Sequence, residues 1–297
     1  MKIIGPEAEA HLTWPDLLAA LEDGHRLPRA EIADILLSRG GDRLLDRAAW
    51  IDGLGSLVKV STIVPGNAER GKPTVNGVVV LFDDSDGNPT AMLDFHLVTK
   101  WKTAGDSLLS AARLARKDSR NILLVGAGTV ARSMVDAYRS LFPRARFTVW
   151  SRNRANAAAM GHRVADDLET AVRGADIICT ATMATEPLIL GRWLQPGQHL
   201  DLIGAYTPQM REVDDTAMAR ARVFVDARAT TLHHIGELMA PLASGAITES
   251  DILADFYDGP TFYTRRSPDE ITLAKNGGGA HLDLMTATYI AGQVAGR

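Results

Sequence analysis

The chain has 297 residues, 46% of them hydrophobic and 23% charged, with a formal net charge of -4. That composition suits a globular protein of one large domain or two, and it leaves no basic face of the kind nucleic acid or an anionic membrane demands. No run approaches the roughly 18 apolar residues of a membrane span, Gly5, Pro6 and Glu7 interrupt any secretory core, and the lone cysteine, Cys179, excludes an internal disulfide or a cysteine-based zinc cluster.

The expectation at this level is a cytoplasmic enzyme without a metal, or equally a cytoplasmic binding protein. In chain order, "LLAALEDGHRLP" is a helix candidate ending at Gly24. The runs "DRLLDRAAWIDG", "LGSLVKVSTIVPGN", "VNGVVVLFDD" and "TAMLDF" follow, apolar and β-branched, punctuated by Asp-Gly, Pro-Gly-Asn and Asp-Gly-Asn-Pro turns. They predict a mostly antiparallel or mixed sheet. Thr99 or Thr103 is placed to cap a helix, "WKTAGDSLLSAARLARK", with Trp101, Leu108, Ala111 and Ala115 on one face.

From Asn121 strands and helices alternate. Strands are predicted at 122–125, 147–150, 176–180, 199–203 and 223–225, which implies a doubly wound parallel sheet. Beyond Ile271 the tail reads as a glycine turn and an apolar helix, placed to leave the parallel region and pack back on the first.

Gly126-Ala127-Gly128-Thr129-Val130-Ala131 is a GxGxxA turn between a strand and a helix. Gly126 permits the tight turn, Gly128 admits a pyrophosphate to the backbone, and Ala131 lets helix and strand pack closely. The helix N-terminus supplies N–H groups and partial positive charge. A second strand about 20 residues on completes the dinucleotide spacing. That strand ends in Ser151, Arg152, Asn153 and Arg154, with no carboxylate for a ribose 2′-hydroxyl. Forked guanidinium donors suit a phosphate, so NADP(H) is preferred and NAD(H) is possible; solvated loop arginines are the competing reading. Thr180, Thr182 and Thr185 lie where the sheet opens its ligand crevice, and Thr182 is the candidate cofactor contact, with a loop threonine satisfying local backbone as the competing reading. Cys179 reads as core.

Three cations in the first region stand out. Lys59 shares a strand face with Leu57 and Ser61, and snorkelling from an edge strand is the plain explanation. Lys102 falls in the first turn of its expected helix, where the macrodipole disfavours a cation unless an anion binds too. With Arg29 they suggest a pocket for a small carboxylate. His233 and His234 are adjacent and so diverge on a helix, a poor metal pair; a surface or interdomain role is expected. His281 and Asp283 follow the last glycines and either discriminate substrates or brace that helix.

The ordered set "KVSTIVPGN…GKPTVNG…LFDDSDGNPTAMLD…TKWKTAGDS…VGAGTVA…VWSRN…ADIICTAT…DLIGAYTPQMREVD…DEITLAKNGGGAHLDLMTA" resembles the ornithine cyclodeaminase/mu-crystallin family over nearly the whole chain past Leu44. The resemblance implies an α/β protein with a Rossmann-type doubly wound parallel sheet, residues 113–270. That sheet would be inserted in an α+β substrate and dimerisation domain, residues 1–112 plus 271–297, of a homodimer. It assigns Arg29, Lys59 and Lys102 to the substrate, Lys102 standing where the family has arginine, and Lys59 and Lys102 to the chemistry. Thr74, Thr129, Val130, Ser151 and the neighbouring Arg152 and Asn153 would serve the cofactor, with Gly126, Gly128 and Thr182. Ile203, Gly204, Ala205 and Tyr206 would line the nicotinamide site, and Asn276 and Gly277 would close it, Gly277 at the substrate. Tyr206 replaces the catalytic aspartate of the cyclodeaminases and Met210 a lysine. A phenol of pKa near 10 is a poor carboxylate substitute.

The function expected is therefore NAD(P)H-dependent reduction of an imino acid, with Δ1-pyrroline-2-carboxylate to L-proline leading. An acyclic amino acid dehydrogenase or iminosuccinate reductase, an ornithine cyclodeaminase, and a non-enzymatic NADP(H) sensor are the alternatives.

Overall fold

The structure is a computed structural model that describes residues 1–295. The chain forms two compact units, Met1–Lys102 with the segment from Gly278 onward, and Thr103–Gly277. The divisions fall at 102/103 and 277/278, not at the 112/113 and 270/271 read from the sequence.

The first unit is built on a six-stranded sheet of β1 (Lys2–Ile4), β2 (Glu31–Arg39), β3 (Asp42–Ile51), β4 (Gly55–Ile63), β5 (Val75–Phe82) and β6 (Pro89–Asp94). Its order is β1-β6-β5-β4-β3-β2; only β1 pairs parallel, with β6. Helix α1 (Trp14–Gly24) starts at Thr13, whose hydroxyl accepts from the Asp16 N–H. It packs on the C-terminal helix, where a side chain at Gly24 would run into Met285. β1 and β2 were not foreseen. β2 is a mostly exposed edge strand, without the buried alternation that marks β4, where Gly55, Leu57, Lys59 and Ser61 face inward. β4 lies between β3 and β5, so Lys59 does not snorkel from an edge; it is 5% exposed.

Helix α2 (Phe95–Leu114) carries the chain into the second unit. It begins before either threonine expected to cap it, because Asp94 accepts from the Leu97 N–H at 2.7 Å. Lys102 thus sits two turns in, and the macrodipole argument for an anion there does not hold.

The second unit is an eight-stranded parallel sheet: β7 (Asn121–Val125), β8 (Arg146–Trp150), β9 (Arg163–Val164), β10 (Ile177–Thr180), β11 (His199–Leu202), β12 (Arg222–Val225), β13 (Ile252–Ala254) and β14 (Thr272–Lys275). The order is β13-β12-β14-β11-β10-β7-β8-β9. Helices α3 (Thr129–Leu141), α4 (Arg154–Ala158), α5 (Leu168–Arg173), α6 (Asp215–Arg220), α7 (Arg228–Thr231) and α8 (Gly236–Ser244) connect the strands, and α9 (Ala280–Ala295) follows. Every residue of β10, β11 and β14 is buried, as strands covered on both faces must be. Leu123, Ile178, Leu200, Leu202, Val223 and Leu273 belong to its core. β14 corrects the reading of the tail: the residues before the glycine run form an inner strand of the parallel sheet, and the chain leaves only at Gly278. His233 and His234 lie exposed in the turn between α7 and α8, and no group of metal ligands occurs among the described residues.

Candidate active site

In the second unit, five neighbouring strands end in the segments singled out above. Asn276 follows β14, Ile203–Tyr206 follow β11, Ala181 and Thr182 follow β10, Gly126–Gly128 follow β7, and Ser151 follows β8. Carboxyl ends of parallel strands are where such sheets bind ligands. Gly126 has φ +119°, and a Cβ there would lie 2.5 Å from the Ala181 carbonyl oxygen, so only glycine makes this turn. Gly128 precedes α3 without a side-chain cap, and a Cβ on it would meet nothing within 4 Å. The space is open, and the first N–H groups of α3 address it.

The cleft there has a volume of about 550 Å³ and is lined by Gly126–Gly128, Trp150–Arg152, Asn156, Ala181–Glu186 and Leu188. Of the residues predicted for the cofactor, the lining holds Gly126, Gly128, Ser151, Arg152 and Thr182. Thr129 and Val130 open α3 just beyond it. Asn153 is occupied as the cap of α4, accepting from Ala155 N–H at 3.0 Å, and Arg154 is ion-paired with Asp166 at 2.6 Å. One guanidinium beside one hydroxyl is therefore what the end of β8 offers a 2′-phosphate. Cys179 is buried, and burial pushes its thiol well above the ordinary range, with Asp201 and Glu212 adding to it, which removes it as a nucleophile.

At the ends of β11 and β14, Ala205 is buried against Met210 and Ile235, whereas Tyr206 is 59% exposed. Gly277 is forced by packing, since a Cβ would come within 2.6 Å of the Thr231 methyl. Asn276 donates to Ser107 Oγ at 2.6 Å and to Asp201 Oδ1 at 3.2 Å. A carboxylate accepts only, so this fixes the amide orientation. Burial raises Asp201 to about 6, while bonds from Tyr138, Ser107 and Asn276 hold it back. Asn276 Oδ1 is left buried without a partner, an acceptor suited to the amide N–H of a nicotinamide. Together with the open space at Gly128, it fits a dinucleotide.

In the first unit, Lys59 and Lys102 converge on one carboxylate of α9. Lys59 Nζ donates to Asp283 Oδ1 at 2.8 Å, and Lys102 Nζ lies 4.0 Å from Oδ2. Lys102 also donates to the Gly278 carbonyl at 2.9 Å, which accepts from Arg47 Nη1 at 2.8 Å. Burial lowers Lys59 to about 8, with Lys102 and Arg47 acting the same way against Asp283. Burial alone would raise Asp283, but Lys102, Lys59 and Arg47 hold it below its usual value. His281 is kept neutral by burial, assisted by the charges of His25, Lys102, Arg47 and Arg29. Arg29 itself is exposed just ahead of β2, and Thr74 is half-buried just before β5. The sequence reading missed Arg47, and left Asp283 undecided between substrate and helix. Both come from segments far from Lys59 in sequence, and only the β3–β4 register and the crossing of α9 bring them together. Arg47 is itself paired with Asp34 at 2.8 Å, so Lys59 and Lys102 against the single carboxylate of Asp283 leave one buried positive charge in excess, an attractor for a small anion.

The sequence profile of the ornithine cyclodeaminase/mu-crystallin family matches residues 52–297. The chain belongs to that family. It is 51% identical, over 98% of its length and 96% of the relative's, to a Δ1-pyrroline-2-carboxylate reductase of Paracoccus denitrificans. Its fold matches that of the Thermococcus litoralis Δ1-pyrroline-2-carboxylate reductase, solved with NADH and L-proline, with a TM-score of 0.89 and 24% identity, covering 99% of this chain and 97% of that one. An archaeal alanine dehydrogenase, solved as a dimer with NAD, matches with a TM-score of 0.90 and 24% identity, covering 100% of this chain and 96% of that one.

Lys102 offers a point charge rather than a bidentate fork, and Tyr206, turned largely to solvent, offers no buried base.

Proposed function

We propose that this chain is an NAD(P)H-dependent imino acid reductase that converts Δ1-pyrroline-2-carboxylate to L-proline. The observation that carries the reading is the 51% identity, over 98% of the chain, to a relative of that name. The buried cation cluster and the glycine-turn cleft support it chemically. A bound nicotinamide dinucleotide supplies the hydride when reduced. Gly126, Gly128 and the first turn of α3 would hold its pyrophosphate, and Asn276 Oδ1 would take its carboxamide N–H. Lys59, Lys102 and Arg29 hold the substrate carboxylate. The imine carbon gains the hydride, and the imine nitrogen must carry a proton for the product amine to form. An ammonium titrating near about 8, as Lys59 does, keeps that proton available at neutral pH. Positioning does the rest.

Ser151 and Arg152, with no acid at the end of β8, favour NADP(H) over NAD(H). Tyr206 disfavours cyclodeamination, because a solvent-facing phenol cannot replace the base that reaction needs. A homodimer is the expected assembly. β2 is a free sheet edge carrying exposed Ile35, Leu36 and Leu37, with Trp50 exposed on β3, beside a groove of about 530 Å³. No helix among the described residues is long and apolar enough to cross a membrane.

The test is oxidation of NADPH and NADH by the purified protein with Δ1-pyrroline-2-carboxylate, Δ1-piperideine-2-carboxylate, iminosuccinate and pyruvate with ammonia. Turnover of the five-membered ring with the highest kcat/KM is expected. No turnover of either cyclic imino acid, or ammonia release from ornithine, overturns the reading.

A further inference from the structure

Loop 181–188 forms one wall of the dinucleotide cleft, and both of its ends are fastened to a single residue. Glu212 is fully buried. Its Oε1 accepts from the Thr182 N–H at 2.8 Å and the Thr182 hydroxyl at 2.7 Å. Its Oε2 accepts from the Thr180 hydroxyl at 2.8 Å, the Gly204 N–H at 2.8 Å and the Ala205 N–H at 3.3 Å. Its backbone carbonyl accepts from the Leu188 and Ile189 N–H groups at 2.9 and 3.0 Å. The same side chain thus joins the loop after β10 to the loop after β11, the two segments expected to flank the nicotinamide.

Glu212 is itself held. Its own N–H and that of Val213 donate to the two oxygens of Glu237 on α8, at 2.8 and 3.0 Å. The two loops press so closely that a Cβ on Gly204 would lie 2.1 Å from the Thr182 carbonyl oxygen and 2.5 Å from Glu212 Oε1. Five donors converge on one carboxylate, and every one is an N–H or O–H that an acceptor-only group satisfies. A buried charge is expensive unless so satisfied. Packing alone does not call for a carboxylate where an apolar side chain of similar volume would fill the space.

We infer that Glu212 is a positioning residue for the dinucleotide, clasping the loops after β10 and β11 into the shape that binds it. The inference rests on the reading of this cleft as a dinucleotide site. In Glu212→Gln one acceptor becomes an NH2, and whichever way the amide turns it faces either the Thr182 N–H or those of Gly204 and Ala205, so donors meet donors. One of the two loops is released while side-chain volume is kept.

The experiment titrates NADPH and NADH into wild type, Glu212→Gln and Thr180→Val by fluorescence, with steady-state kinetics and thermal melts on the same preparations. For Glu212→Gln the expected result is a dinucleotide Kd raised about tenfold or more, the scale of lost charge-assisted hydrogen bonds. KM for the imino acid at saturating cofactor should stay within about twofold, because the cation cluster is untouched. Thr180→Val removes one donor only, and a rise in Kd of about two- to fivefold is expected. It serves alone if Glu212→Gln does not fold. A lowered melting temperature with unchanged Kd in the folded variants makes Glu212 purely structural and overturns the inference. Failure of the wild type to bind either dinucleotide overturns the cleft reading, and this inference with it.

Discussion

Asp283→Asn tests whether Lys59 works as an ammonium. The change keeps side-chain shape and removes the charge 2.8 Å from Lys59 Nζ. Burial has already brought Lys59 down to about 8, and Asp283 is the group opposing that fall. An opposite charge at such range displaces a pKa by about one to three units, so the low end takes Lys59 to about 7. If the ammonium is the working form, activity is lost as pH rises through this pKa. At pH 7.5 the protonated fraction then drops from about three quarters to about one quarter, a roughly threefold fall in kcat/KM. At pH 6 both proteins are more than about nine-tenths protonated and the difference closes. The assay is kcat/KM for Δ1-pyrroline-2-carboxylate with saturating NADPH between pH 6 and 9. Breaking a buried pair costs about 3–5 kcal/mol of stability, so melts on both proteins fix a temperature at which each stays folded. A basic limb that does not move, or a loss as large at pH 6 as at pH 7.5, refutes the assignment.

Arg152→Ala should raise KM for NADPH about tenfold, the value of a charge-assisted phosphate contact, and leave KM for NADH nearly unchanged; equal effects on both would remove Arg152 from the 2′-phosphate. Gly278→Ala places a Cβ at φ +67°, 2.8 Å from Lys102 Nζ. It should cost about 1–2 kcal/mol in denaturant titrations and raise KM for the imino acid without altering NADPH affinity. Leu36→Asp combined with Trp50→Asp charges the exposed faces of β2 and β3; light scattering after size exclusion should show a dimer for the wild type, the assembly proposed above, and a monomer for the variant.

The glycine turn was legible because its chemistry is local. A positive-φ glycine ending an apolar strand, an uncapped helix start and a second strand at the right distance all lie within one stretch of chain. The inward face of β4 was legible too, since alternation alone puts Lys59 with Leu57 and Ser61. The helix start was misplaced because Asp94, ending a strand, was not seen as a cap for the turn that follows. β14 was hidden for another reason. Four residues beside a glycine run show no period, and only insertion between β11 and β12 makes them a strand.

By itself the sequence determined the strand–helix alternation that begins at the glycine turn, the family and the cofactor class, since each depends on spacing along the chain. The tertiary structure decided which charges meet. Lys59, Lys102, Arg47 and Asp283 come from four separated segments, and Glu212 and the donors around it come from three. Their ionisation follows from burial and from one another's fields, which exist only once the chain has brought them together.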